Sequence, residues 1–194
     1  MIPLRVSVLA LCLATGLAVP GIAPAQPSDS LRAHPGYVDV AQIESWFGTS
    51  ASLQVDVHGP ILDRVARSTA ESDADFSRLV DGLEAIQVRG FPMQGTDSDE
   101  VRRRLETLAQ ELEARGWQRV VYVRDGNEVA RIFLRPDPER SDERVAGLTV
   151  LAVDPADEAV VVNIVGPMAP DQLQRLGSNL QIETLRTLDA GREQ

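Results

Sequence analysis

One cysteine, Cys12, and no lysine occur in the 194 residues. The cysteine falls in an apolar N-terminal stretch, so once that stretch is removed the chain has no thiol nucleophile, disulfide or thiolate ligand to offer. All nineteen basic residues are arginine, which excludes Schiff-base lysines and the phosphate-gripping lysine of a P-loop. Histidine is represented by His34 and His58 alone, and structural zinc sites draw mainly on Cys and His. The net charge is −10. Nucleic acid and anionic membrane surfaces both require a dense basic patch, and the one basic run, Arg102-Arg103-Arg104, reads as the solvated side of a helix. No nucleophile elbow and no cofactor motif is present. Past residue 25 no stretch approaches the ~20 apolar residues of a membrane helix.

What is present begins with a targeting signal. Arg5 precedes an apolar run over 6–19, and small residues end at Ala23-Pro24-Ala25 before Gln26, the layout of a secretory signal peptide with an A-x-A cleavage site. Residues 1–25 are therefore expected to be removed, leaving a soluble periplasmic or secreted chain. Lipidation at Cys12 is the rival reading; bulky Leu11 before it and its early position argue against that. Because Arg5 is the only charge in the signal, the remainder is one unit more acidic. Residues 26–36 read as a flexible leader, 37–188 as one domain of ordinary size, and 189–194 as a tail.

The domain is organised around 117–166, which reads as four strands. Segments 117–124 and 128–134 are rich in Val, Ile, Tyr and Phe around Asp125-Gly126-Asn127, a hairpin signal, since Asp, Gly and Asn tolerate positive φ. Strands over 145–153 and 158–165 follow, making an antiparallel meander. Upstream, 52–57 alternates as a short strand and Gly59-Pro60 opens a helix. Ser72 with Asp75 resembles a capping box for a second helix, and 84–91 is a strand. The clearest helix covers 98–115, capped by Asp97 and ended by Gly116, with Val101, Leu105, Leu108, Ala109 and Leu112 as its apolar stripe. After the meander, Gly166 to Pro170 reads as a rigid turn into a helix bearing Leu173 and Leu176, and Leu180, Ile182, Leu185 and Leu188 as a last packed segment. Strands joined through helices favour parallel pairing. The expected fold is α+β and two-layer: a mixed sheet of about six strands ending in the meander, with helices mainly on one face.

Gly36-Tyr37-Val38-Asp39, Gly116-Trp117 at the helix-to-strand junction, Val162-Asn163-Ile164-Val165-Gly166 and Pro170-Asp171-Gln172-Leu173 together resemble domain of unknown function 4252. The resemblance covers about 36–185 and implies an exported envelope protein, often a lipoprotein, with no established activity. It brings no catalytic residues, and the lipobox is missing here.

Acidic groups at Glu71, Asp73, Asp75 and at Asp97, Asp99, Glu100 stand at helix starts, where carboxylates cap and complement the dipole. Neither continues into an EF-hand loop, and no metal site is expected. His58, at a strand end, reads as structural. Asn163 interrupts an apolar strand and shares one face with Ala159 and Val161. Val121, Val123, Val129, Arg131 and Phe133 join that face, depending on the hairpin register. Either a segment such as 37–47 covers this second face, or it is a binding surface with Asn163, Val161, Arg131 and Phe133 as candidate residues. The expected function is a non-enzymatic binding or interaction module for an envelope protein or small ligand. The alternative is an envelope hydrolase using carboxylate acid/base residues, which the many Asp and Glu permit but no spacing supports.

Overall fold

The computed structural model describes residues 27–138 and 144–169. Its elements are α1 (Asp29–Ala33), α2 (Val40–Glu44), β1 (Leu53–His58), α3 (Gly59–Thr69), α4 (Ala74–Val80), β2 (Ala85–Pro92), α5 (Ser98–Ala114), β3 (Gln118–Asp125), β4 (Glu128–Pro136), β5 (Val145–Val153) and β6 (Glu158–Met168). The signal segment and the helix expected around Leu173 and Leu176 lie outside the described residues. No helix among the described residues is long and apolar enough to cross a membrane.

Local chemistry sets most boundaries. Asp97 accepts from the backbone N–H groups of Asp99 and Glu100 and starts α5. Gly116, at φ 85°, ends it, with the Trp117 N–H closing back onto the Leu112 carbonyl. The five expected stripe residues of α5 are all buried. Asp73, rather than Ser72, caps α4 by accepting from the Phe76 N–H. Gly126 takes φ 55° in the turn that joins β3 to β4. β6 runs through Gly166 and Pro167 to Met168 instead of turning there. A register shift, with Val145 opposite Met168 and Gly147 opposite Val165, absorbs the irregularity.

The six strands form one sheet in the order β1-β2-β6-β5-β4-β3. The expected mixed sheet is corrected here, because every pair is antiparallel. The reason lies in the α3–α4 excursion: His58 at the end of β1 is opposite Ala85 at the start of β2, and the Gly59 N–H donates to the Glu84 carbonyl. The chain therefore returns beside its point of departure and pairs as a hairpin. β2 and β3 do run the same way, but three strands separate them.

The expectation of helices mainly on one face is corrected as well. Leu105, Leu108 and Leu112 of α5 and Val40 and Ile43 of α2 cluster with Phe91, Phe133, Leu151 and Val161. Leu62, Ala66 and Val80 of α3 and α4 cluster with Ile132, Leu148, Val150 and Ile164. Strand alternation places these two sets on opposite sides of the sheet. A strand that is apolar on both faces needs cover on both, and β5 is buried at nearly every position. Residues 29–33, expected in a flexible leader, form α1, and Leu31 packs with Tyr37, Ala85 and Val165.

Candidate functional site

Asn163 sits in the middle of β6, opposite Gln87 of β2 and Thr149 of β5. It is fully buried (0% exposed). Its Oδ1 accepts from the Val38 N–H at 3.0 Å, and its Nδ2 donates to the Gly36 carbonyl at 3.0 Å, to Thr149 Oγ1 at 3.0 Å and to the Leu148 carbonyl at 3.3 Å. The side chain thus offers residues 36–38 a donor and an acceptor, as a neighbouring strand would. The approach is backbone on backbone: a Cβ at Gly36 would fall 2.0 Å from the Ala146 carbonyl oxygen, and one at Gly147 would fall 2.6 Å from the Gly36 Cα. Only glycine fits at either place. Next to this strap, burial and then Asp39 push the Tyr37 hydroxyl above its ordinary pKa.

Val161 and Phe133 lie on the same face, enclosed with α5 and α2. The segment that covers the second face is therefore the 36–47 stretch together with α5, and three of the four candidate residues lie beneath it. Val121 and Val123 pack on the opposite face with Ile132. The cause is a bulge between Arg119 and Val121, which pairs Val121 with Ile132 and Tyr122 with Arg131.

Arg131, the fourth candidate, stands at the margin where cover ends. It is 5% exposed. Its Nη2 donates to the Glu106 carboxylate of α5, and its Nε has no partner. Its guanidinium lies 5.6 Å from the Tyr122 ring centre, as does that of Arg119. Beside it a shallow cleft opens between α5 and the sheet. Arg102 and Leu105 line it from the helix, Asn127 from the hairpin turn, and Val129, Arg131, Leu151 and Val153 from β4 and β5. Four of these side chains are aliphatic, and Arg102, Asn127 and Arg131 bring guanidinium and amide donors. Sequence reading found Arg131 but missed Tyr122, Arg102 and Leu105. Tyr122 depends on the bulge, which no local residue pattern announced, and the other two depend on how α5 crosses the sheet.

Elsewhere the charged groups do structural work. Asp56 of β1 accepts twice from Arg89 Nη2, at 3.0 and 2.9 Å. Burial alone would raise the Asp56 carboxyl, but hydrogen bonds from Gln54 and Arg89 outweigh it and hold the group below its ordinary pKa. His58 precedes α3 with its Nε2 buried and unpartnered. His34 accepts from the Gly36 N–H at Nδ1 and stands 3.5 Å from Glu84 at Nε2. At the turn of the β3–β4 hairpin, partial burial, then Asp154 and Asp125, push Glu128 up. Among the described residues no three His, Cys, Asp or Glu side chains are grouped to hold a metal ion.

No curated protein and no solved structure matches the chain. A family model does, over residues 48–176. That span holds all six strands, α3 to α5 and the cleft, whereas the Gly36 to Asp39 block and the strap precede it. With more than half of its length matched, the chain belongs to the family described as Domain of unknown function (DUF4252).

Proposed function

We propose that the protein is an exported, periplasmic or secreted, non-enzymatic interaction module that holds its partner or ligand at the margin of the α5-covered face. The observation that carries this is the cleft itself. Its lining of four aliphatic residues, Asn127, Arg102 and Arg131 provides contact area and hydrogen-bond donors. No carboxylate lines the cleft, and the Glu106 carboxylate of α5 is bonded to Arg131. A general acid or base needs a titratable group aimed at the place where substrate sits, and the cleft offers arginine, which stays protonated. The hydrolase alternative draws on Glu128, whose raised pKa arises from partial burial and its acidic neighbours at the turn. Glu128 does not line the cleft, and neither does any histidine. Export is supported by the N-terminal layout of charge, apolar run and Ala23-Pro24-Ala25.

Two experiments test the reading. N-terminal sequencing of the protein recovered from cells is expected to begin at Gln26; a lipidated Cys12 as first residue overturns the processing. A photoreactive side chain at Asn127, in the native envelope, is expected to label a partner that the same probe at exposed Ser68 of α3 does not, and Arg102→Glu is expected to abolish that labelling. Equal labelling from both positions removes the cleft as the site.

A further inference from the structure

The sheet ends on β3, and no loop or turn backbone bond among the described residues reaches this strand. Of the large apolar side chains exposed among those residues, Val120 (38%) and Tyr122 (50%) are both on β3. Asp125 pairs with Glu128 across a two-residue turn, so antiparallel alternation turns the N–H and C=O of Asp125, Val123 and Val121 toward β4 and those of Arg124 and Tyr122 outward. Such an edge is a template for a further strand. We propose that β3 takes up an extended acidic segment of a partner protein as an added strand, with its carboxylates on the α5 face and aliphatic side chains on the other.

The bulge between Arg119 and Val121 sorts the side chains of β3 by face. Arg119 is opposite Phe133, Tyr122 opposite Arg131 and Arg124 opposite Val129, which puts all three on the α5 face. Arg119 and Arg131 both place a guanidinium 5.6 Å from the Tyr122 ring centre. Val121 and Val123, opposite Ile132 and Ala130, extend the apolar cluster of the other face. Asp125 and Glu128, the carboxylates at the hairpin turn, fall on that second face as well. On the α5 face the row that an incoming strand meets is therefore cationic and aromatic, and β3 adds no carboxylate to it. Arg131 is taken up by Glu106. Arg119 Nε stands 3.5 Å from Glu113, in a pair exposed enough to contribute little. Arg124 is exposed and has no ion pair among the described residues.

A second copy of β3 would set these arginines against one another, and like charges facing each other across strands oppose. An acidic strand satisfies them instead. The opposite edge, β1, offers no such row: on the same face it carries Gln54 and Asp56, and Asp56 is already held by Arg89. Main-chain bonds supply the affinity of an added strand, and its alternating side chains set the choice of partner. None of this depends on what occupies the cleft.

The test uses the isotope-labelled full chain and three capped hexapeptides: (Glu-Val)3, (Lys-Val)3, and (Glu-Val)3 with every backbone nitrogen methylated. In an NMR titration, millimolar (Glu-Val)3 is expected to shift the Tyr122 and Arg124 amides and to slow their exchange with solvent. Affinity for (Lys-Val)3 is expected to be about ten-fold lower, and the methylated peptide is expected to leave both amides unchanged. Arg124→Glu, at an exposed position and so without effect on urea melts, is expected to weaken (Glu-Val)3 roughly ten-fold and to strengthen (Lys-Val)3. Absence of any shift on β3 with (Glu-Val)3 overturns the proposal, as does equal affinity for the two unmethylated peptides. Undiminished binding of the methylated peptide overturns strand addition. A free chain that sediments as a dimer with the Tyr122 and Arg124 amides already protected overturns the acidic partner in favour of a second copy.

Discussion

Asn163 and Arg131 are both buried polar residues on one face of one sheet, and they are placed in opposite circumstances. Around Asn163 every amide atom is used, the strap crosses at glycine-to-glycine distance, and the donor and acceptor of 36–38 are met. Around Arg131 one nitrogen is unpartnered, an aromatic ring stands half-exposed, and aliphatic side chains line an open cleft. A polar residue that interrupts an apolar strand is thus not in itself the mark of a functional face. The cleft beside Arg131 is what separates the two, because the Asn163 amide is already satisfied under the strap and needs nothing further.

The core beneath α5 underlies both regions, so its loss should be felt in both. Leu108→Ala, which empties volume at a buried stripe position, is expected to cost ~2–5 kcal/mol in urea melts, whereas exposed Arg103→Ala stays within ~0.5 kcal/mol. Asn163→Ala comes next. It leaves the Val38 N–H and the Gly36 carbonyl unpartnered inside the protein, at ~1–3 kcal/mol for each buried orphan, so a loss of about 2–6 kcal/mol is expected, with new binding of a dye such as ANS as the strap lifts. Arg131→Leu is expected to change stability far less than Asn163→Ala while removing labelling from the Asn127 probe. The comparison between the two regions breaks if the two substitutions destabilise equally.

An effect smaller than these tests the other polar pair on this face, Asp56 with Arg89. The Asp56 carboxyl is held below its ordinary pKa, so the unfolded chain takes up the proton first. The stability it contributes is in full above the unfolded value, close to the ordinary 3.8, and is lost as pH falls through the lowered folded value. Thermal melts of Asp56→Asn are therefore expected to lose stability relative to the native chain at neutral pH and to converge with it in acid. A gap that persists unchanged at the lowest pH would show that charge is not what Asp56 contributes.

Wherever backbone chemistry decides locally, the sequence was readable. Asp97 and Gly116 bounded α5, Asp125-Gly126-Asn127 marked the hairpin, and the four meander strands fell close to their expected places. The parallel pairing failed because a β-α-α-β excursion can come back on either side, and the deciding contact, His58 beside Ala85, is set by how α3 and α4 pack. The helices divide between the two faces because β5 and β6 are apolar on both sides, a pattern visible in Val145 to Val153 but outweighed in the reading by the single stripe of α5. For the candidate site, alternation placed Asn163, Val161, Arg131 and Phe133 correctly on one face. Which of them would be covered was not legible, since that depends on a close approach between Gly36 and Gly147, residues 111 positions apart in sequence.

The smallest expected effect lies at the turn between β3 and β4. Glu128 pairs with Asp125 across the hairpin end, and partial burial, followed by Asp154 and Asp125, raises its carboxyl above the ordinary value. A carboxyl that is harder to ionise in the folded chain than in the unfolded one costs stability at neutral pH, and that cost disappears as pH falls through the raised folded pKa. Glu128→Gln keeps the shape and removes the charge, so it is expected to raise the melting temperature slightly at pH 7 and to match the native chain in acid. Because Asn127 is its neighbour and lines the cleft, the same variant also sharpens the contrast with the closed, strap-covered region. There, neutralising a group leaves a buried orphan and destabilises. At the turn, removing a negative charge beside Asp154 and Asp125 is expected to stabilise the fold. A loss of stability in Glu128→Gln at neutral pH would place Glu128 among the bonded structural carboxylates.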